Sequence, residues 1–312
     1  LYTTAREDVQ DFKGIWDESD INELKVSISA TETITCNDAI LAIDPYVEKG
    51  IAESSISFIV IPYVASAREG VQRLGALIDQ YGMASSEACV IADENEVWYF
   101  EAYSGHQWLA QKIPDDCYLV AGNDGLFGSV DLDDSTNVIA SRDLYNLPAS
   151  NGLIKEVDGK FHVAATYCKP IDDSAHLRTW RGKNYFNPST YLWYNRSDRL
   201  PAFEQPEQKI SLQDCFALFR DRYHGTEYDS EDSYQYRPIA VDRANNTHFI
   251  EYRGSHAPLM WLACGGHEFS PFLPMYYNMS TVPDEYATLC KDYSVDSAYW
   301  RYRSLFTVAR AN

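Results

Sequence analysis

A polar triplet, Thr31-Glu32-Thr33, stands at the end of the stretch "VSISA", whose small and apolar residues alternate as in a buried strand. An ionised carboxylate accepts hydrogen bonds and donates none, so Glu32 can hold an ammonium group but would repel a developing negative charge. The hydroxyls of Thr31 and Thr33 can supplement it. The alternative is structural: Glu32 caps a neighbouring loop or pairs with an arginine in the core.

Several familiar catalytic motifs are missing from the chain: it contains no Gly-rich phosphate loop, no GxSxG and no HExxH. The stretch "DLDDSTN" (131–137) alternates carboxylates as calcium loops do, but it lacks the central glycine and the distant glutamate. We interpret it as a turn followed by a helix N-cap. The seven histidines are isolated, and the seven cysteines form no CxxC pair, which predicts no metal site and no cofactor. We interpret the cysteines as mostly reduced and buried.

Composition limits the classes of partner. The 312 residues carry a formal net charge of −20, so a nucleic acid or an anionic membrane surface would be repelled. No apolar run approaches the length of a membrane span. We expect a chain without nucleic-acid or membrane partners and with a cytoplasmic location, while secretion and homo-oligomer formation stay open.

The elements that position the polar triplet are predicted from hydrophobic periodicity. Residues 26–35 and 56–64 resemble strands, the second more fully buried. A helix is predicted from Ser66 to Gly82, because Ser66 and Glu69 have the spacing of a capping box and glycine is a common C-terminal stop.

The rest of the chain favours antiparallel pairing. Four short strands separated by polar turns predict a meander over 88–123, and a second helix begins at Ser211. Three further strands are predicted in "RPIAVD", "THFIEYR" and "LMWLACG". Strands and helices are segregated along the chain, which predicts an α+β fold.

Nine stretches, in this order, resemble the cysteine dipeptidases of the N-terminal-nucleophile hydrolase superfamily, of the dipeptidase A/D type. "SATET" and "AREGVQRLG" are the most specific of the motifs within them. The stretches are NELKVSISATETI (22–34), DPYVEKGIAE (44–53), IPYVASAREGVQRLGALIDQYG (61–82), IADENEVWYFEAYSGHQWLAQKIPDD (91–116), VAGN (120–123), RTWRGKNYFNPS (178–189), FRDRYHGTEYD (219–229), YRPI (236–239) and PMYYN (274–278).

The resemblance implies a four-layer αββα sandwich, a single domain over 1–312 and hydrolysis of dipeptides and short peptides. It also implies a nucleophilic cysteine that becomes N-terminal by processing, with its own α-amine as the base. Residue 1 is leucine and all seven cysteines are internal. We therefore expect a chain that is incomplete at its N-terminus and inactive by itself.

The resemblance also assigns roles to individual residues. Glu32, with Thr31 and Thr33, would hold the α-ammonium of a dipeptide. Asn123 would contact the reacting group as an oxyanion or substrate donor, the alternative being a turn asparagine before Asp124-Gly125. Arg178 would lie beside the catalytic thiolate and lower its pKa; the alternatives are Arg181 or an arginine on a helix face.

Two other functions remain open on the sequence alone. One is a non-catalytic relative or fragment that serves as a binding or structural module. The other is an amidase acting on non-peptide acyl amides, which the carboxylate of Glu32 disfavours. The coding sequence upstream distinguishes the enzyme from the binding module. A cysteine at or near a processing point, followed closely by arginine and aspartate, favours the enzyme, whereas serine, alanine or no extension favours the module.

Overall fold

A computed structural model describes residues 2–5, 16–31, 34–197, 200–230, 235–288, 290 and 292–311. After a short strand β1 (Tyr2–Ala5), most of the chain divides into a larger compact unit, 17–207, and a smaller one, 208–312. The two units are described one by one. The prediction of a single domain stays a prediction.

The larger unit is built on an antiparallel sheet whose strands follow the order β2-β3-β4-β5-β6-β8. The strands of the larger unit, inside and outside this sheet, are β2 (Trp16–Ile21), β3 (Ser27–Thr31), β4 (Glu87–Ala92), β5 (Val97–Ala102), β6 (Trp108–Lys112), β7 (Tyr118–Leu119), β8 (Val138–Ala140), β9 (Glu156–Val157), β10 (Lys160–Phe161) and β11 (Phe203–Glu204). The helices of the larger unit are α1 (Asp38–Leu41), α2 (Glu53–Val60), α3 (Ala67–Tyr81), α4 (Asn146–Ser150), α5 (Val163–Tyr167) and α6 (Asp173–Phe186), with a 3₁₀ turn at Ile61–Tyr63.

The two faces of this sheet carry separate cores, because successive side chains of a strand point to opposite faces. Cys89 lies opposite Phe100, and both pack with helices α2 and α3 in the first core. Ala88 lies opposite Glu101, on the face where Tyr99 and Tyr103 join Phe127 in the second core.

The smaller unit contains a three-stranded antiparallel sheet in the order β12-β13-β14 and three helices within its described part. Its elements are α7 (Leu212–Phe219), β12 (Asn246–Arg253), β13 (His256–Cys264), β14 (Leu273–Tyr276), α8 (Asp284–Ala287) and α9 (Ala298–Arg310). Helices mixed with antiparallel sheets agree with the predicted α+β class. No helix in the described ranges is long and apolar enough to cross a bilayer.

The helices predicted from Ser66 and from Ser211 are confirmed, each with its serine as the N-cap, but the capping box predicted at Ser66 and Glu69 is only half formed. The Ser66 hydroxyl accepts from the Glu69 backbone N–H at 3.2 Å, while the Glu69 carboxylate reaches one residue further than a capping box requires, to the Ala65 N–H at 2.8 Å. In α7, Ser211 and Asp214 form a complete capping box.

The prediction of a strand over 56–64 is wrong, since the structure places helix α2 and the 3₁₀ turn there. Ile56 and Val60 are buried, whereas Phe58 between them is 43% exposed. A strand would direct all three side chains to one face, but a helix separates Phe58 from the other two.

The predicted position of the fourth strand of the meander, beside the third, is also wrong. Only Tyr118–Leu119 forms a strand there, and it pairs with β11 in a separate two-stranded sheet. The position beside β6 is taken by β8, which arrives from later in the chain. The stretch "RPIAVD", 237–242, forms no strand.

Candidate active site

The segment that follows β7 lies directly on helix α6. The Tyr118 hydroxyl donates to Asn187 at the end of the helix (2.8 Å), and the Gly122 N–H donates to the Thr179 hydroxyl (2.8 Å). A Cβ at Gly122 would lie 2.2 Å from the carbonyl oxygen of Ala175. The absence of a side chain at this position therefore allows the segment to approach the helix backbone closely.

The close approach brings together the two residues predicted to be catalytic. Arg178 Nη2 donates to Asn123 Oδ1 at 2.6 Å, and Arg178 Nε donates to the Ser174 carbonyl at 2.9 Å. A guanidinium only donates, so the amide oxygen of Asn123 faces the arginine and its Nδ2 group is directed elsewhere as a donor. Arg181, the alternative, donates instead to Asn184 at 3.0 Å.

Asp124 adds a carboxyl group beside this pair. Burial is the main cause that raises its pKa to about 6, with Asp172 also raising it, while the backbone N–H of Asp172 and the charge of Arg178 lower it. Its Oδ2 is inaccessible and has no hydrogen-bond partner in the described part of the chain. This carboxyl group can therefore gain or lose a proton near neutral pH.

Sequence reasoning missed Glu101, which lies within β5 and is fully buried. Its Oε1 accepts from the Leu126 N–H at 2.7 Å, and its Oε2 accepts from the Tyr103 hydroxyl at 2.7 Å. Burial raises its pKa to about 7 against the opposing hydrogen bonds. The available signal was a glutamate alternating with two tyrosines, Tyr99 and Tyr103, on a strand that is otherwise apolar.

Thr31 is the one member of the predicted ammonium-binding triplet that the structure describes. It is exposed at the end of β3, opposite Ala88, and Ala88 is in turn opposite Glu101. Thr31 and Glu101 thus share a face of the sheet, two strands or about 10 Å apart. Glu32 and Thr33 lie outside the described residues, so their predicted role stays a prediction.

A cleft of about 1010 Å³ begins at this cluster. Asp124, Leu126 and Thr179 form part of its lining, as does Cys168. Burial, with the Glu101 carboxyl close by, raises the pKa of the Cys168 thiol well above its ordinary value. Because the thiolate is the nucleophilic form, Cys168 is poorly suited to start an acyl transfer.

The arrangement can bind and polarise a carbonyl group through neutral and cationic donors. Within the ranges that the structure describes, no three His, Cys, Asp or Glu side chains converge as metal ligands. Asn123 and Arg178 are in contact, but their catalytic roles stay predictions.

Comparison with known proteins places the chain in a family. The profile described as "Peptidase family C69" matches residues 1–312. The chain is 32% identical over 323 residues to a "Probable dipeptidase" of Latilactobacillus sakei, covering 99% of this chain and 67% of the relative. It is 33% identical over 318 residues to "Probable dipeptidase B" of Streptococcus pyogenes serotype M1 (95% and 64%) and 34% identical over 310 residues to that of Lactococcus lactis subsp. lactis (92% and 64%). The chain thus spans about two thirds of the length of these relatives.

Proposed function

Because this chain belongs to peptidase family C69, we propose that the full-length protein hydrolyses dipeptides and other short peptides. The nucleophile in this proposal is an N-terminal cysteine encoded upstream of residue 1. The names of the relatives support the substrate class, and their greater length supports a longer protein. The partners are small peptides.

The observation that carries the proposal is the hydrogen bond between Asn123 and Arg178. In this proposal the two side chains have different roles. The fixed positive charge of Arg178 favours the thiolate form of a nearby cysteine, and the Asn123 Nδ2 group donates to the oxyanion. The free α-amine of the cysteine takes the thiol proton and later protonates the leaving amine. Glu32, Thr31 and Thr33 hold the α-ammonium of the substrate.

The proposal includes the four-layer αββα sandwich of N-terminal-nucleophile hydrolases. Its support is the antiparallel sheet of the larger unit, which has α2 and α3 packed on one face. A cytoplasmic location is proposed on the seven free cysteines, since a reducing compartment keeps thiols free.

The test uses the full-length protein and a panel of dipeptides. Asn123→Ala should lower kcat by about 100- to 1000-fold, as expected for the loss of one oxyanion donor, with little change in KM. Asn184→Ala is the matched control, because Asn184 lies on α6, the helix that carries Arg178, but accepts from Arg181. If Asn184→Ala lowered kcat and Asn123→Ala did not, the roles assigned to Asn123 and Arg178 would be wrong.

Two outcomes would identify a function other than the proposed one. Full-length protein that binds dipeptides without cleaving them would be a binding module. Hydrolysis of acyl amides with no cleavage of dipeptides would identify an amidase.

A further inference from the structure

One wall of the cleft is a short hairpin whose two faces differ in charge. Strands β9 and β10 are joined by Asp158-Gly159, both with positive φ (53° and 71°), as a two-residue type I′ turn requires. Lys160 lies opposite Val157, and Phe161 lies opposite Glu156. The His162 N–H donates to the Lys155 carbonyl at 3.0 Å, which extends the pairing by one step.

Strand alternation then divides the hairpin. Two lysines, a valine and a histidine share one face, and all four line the cleft: Lys155, Val157, Lys160 and His162. Glu156 and Phe161 belong to the other face, where the Phe161 ring packs against Tyr145 at 5.2 Å between ring centroids. The acidic residue of the two strands thus points away from the cleft, while the basic residues point toward it.

The two lysines form a pair of available positive charges. Their register makes them diagonal neighbours, about 7 Å apart at the backbone. Both are exposed, and neither forms an ion pair with another residue in the described ranges. Two further cations of the lining are already engaged: Lys169 with Asp38 at 3.3 Å and Arg196 with Asp173 at 3.0 Å.

The two acidic residues of the lining limit where an anion can settle. Asp158 occupies the tip of the hairpin turn, and Asp124 lies beside Asn123 and Arg178. In a chain with a net charge of −20, two unengaged lysines on one wall favour an anion there.

His162 lies on the same wall. Its Nδ1 accepts from the Ala165 N–H at 3.1 Å as the N-cap of α5, so the ring proton is on Nε2. Nε2 is directed toward Gly128, another residue of the lining, and lies 3.5 Å from the position that a Cβ would occupy there.

We infer that this hairpin face binds the carboxylate at the C-terminal end of the peptide substrate, through Lys155 and Lys160. The inference rests on the proposed function and orients the substrate, with its C-terminal end toward the hairpin. The same charges favour an aspartate or glutamate as the C-terminal residue of the substrate. Peptides whose C-terminus is amidated lose the interaction.

The test compares the full-length wild type with the double variant Lys155→Gln/Lys160→Gln on Ala-Glu, Ala-Ala and Ala-Ala amide. Loss of two partly exposed charge contacts should lower kcat/KM about tenfold for Ala-Ala, more for Ala-Glu, and mainly through KM. The amide should change less than about twofold. Lys155→Arg/Lys160→Arg should keep most of the activity, and Glu156→Gln, on the opposite face of the hairpin, is the matched control.

Equal losses on the acid and the amide, or no loss on either, would overturn the inference. A binding measurement separates the inference from the proposed function. Calorimetry measures the binding of Ala-Ala and of its amide to a variant whose nucleophilic cysteine is replaced by alanine. Lysine-dependent binding of Ala-Ala without hydrolysis by the wild type would refute only the dipeptidase. Hydrolysis that ignores the lysines would refute only the carboxylate site.

Discussion

Replacing Glu101 with glutamine should remove a large part of the pH dependence of unfolding of the larger unit. In the folded chain, burial raises the pKa of Glu101 to about 7 from its ordinary value of 4.5. The unfolded chain therefore releases this proton at lower pH than the folded chain. Stability linked to Glu101 is fully present below pH 4.5 and is lost as the pH rises through 7.

The structure sets the size of the effect. No cation forms an ion pair with this carboxyl group in the described part of the chain, and its partners include the Leu126 N–H and the Tyr103 hydroxyl. A shift of about 2.5 pKa units corresponds to about 3 kcal/mol in the free energy of unfolding. Glutamine keeps the size of the side chain and one acceptor oxygen but cannot ionise.

The assay is denaturant unfolding of wild type and Glu101→Gln at intervals from about pH 4.5 to about pH 8. The difference between the two free energies should change by about 3 kcal/mol across this range, with the wild type losing stability relative to the variant. Asp124, His248 and His267 also have shifted pKa values, but they are present in both proteins and cancel in the difference. The exposed Glu156→Gln serves as the control for a general charge effect.

Parallel pH curves for wild type and Glu101→Gln would refute this reasoning. They would mean that the carboxyl group has the same pKa in the folded and unfolded chains. A loss of stability that is equal at every pH would show only that Leu126 or Tyr103 had lost an acceptor.

Two further predictions concern packing and thiol chemistry. Gly122→Ala should destabilise the larger unit by about 1–3 kcal/mol, because its Cβ would lie 2.2 Å from a backbone oxygen of α6. Gly128→Ala is the control and should be tolerated, because its Cβ would first meet an atom at 3.5 Å. Thermal unfolding of both variants checks this. Equal effects of the two substitutions would show that the close approach to α6 is unimportant. Cys290, which is exposed, should react first with a thiol reagent, whereas Cys36, whose pKa is raised to about 12 mainly by burial, should react only after unfolding. Mass spectrometry of the labelled protein would contradict this if Cys36 were modified as rapidly as Cys290.

The sequence alone determined the elements whose signals are local. The cap of α3 at Ser66 and the cap of α7 at Ser211 were predicted correctly, because each depends on residues within one turn. Strands β4, β5 and β6 were also predicted, since polar turns separate runs that alternate. Resemblance to a family, rather than spacing, singled out Asn123 and Arg178.

Tertiary structure decided what depends on distant parts of the chain. The apolar run at 56–64 has a composition that suits a strand or a helix, and packing of Ile56 and Val60 on the sheet selected the helix. β8 took the place beside β6 that the sequence predicted for the segment at 117–123. Two features arise only when residues far apart in sequence come together: the burial of Glu101 with its hydrogen bond from Leu126, and the alignment of two lysines on a cleft wall. No local pattern encodes which residues will meet.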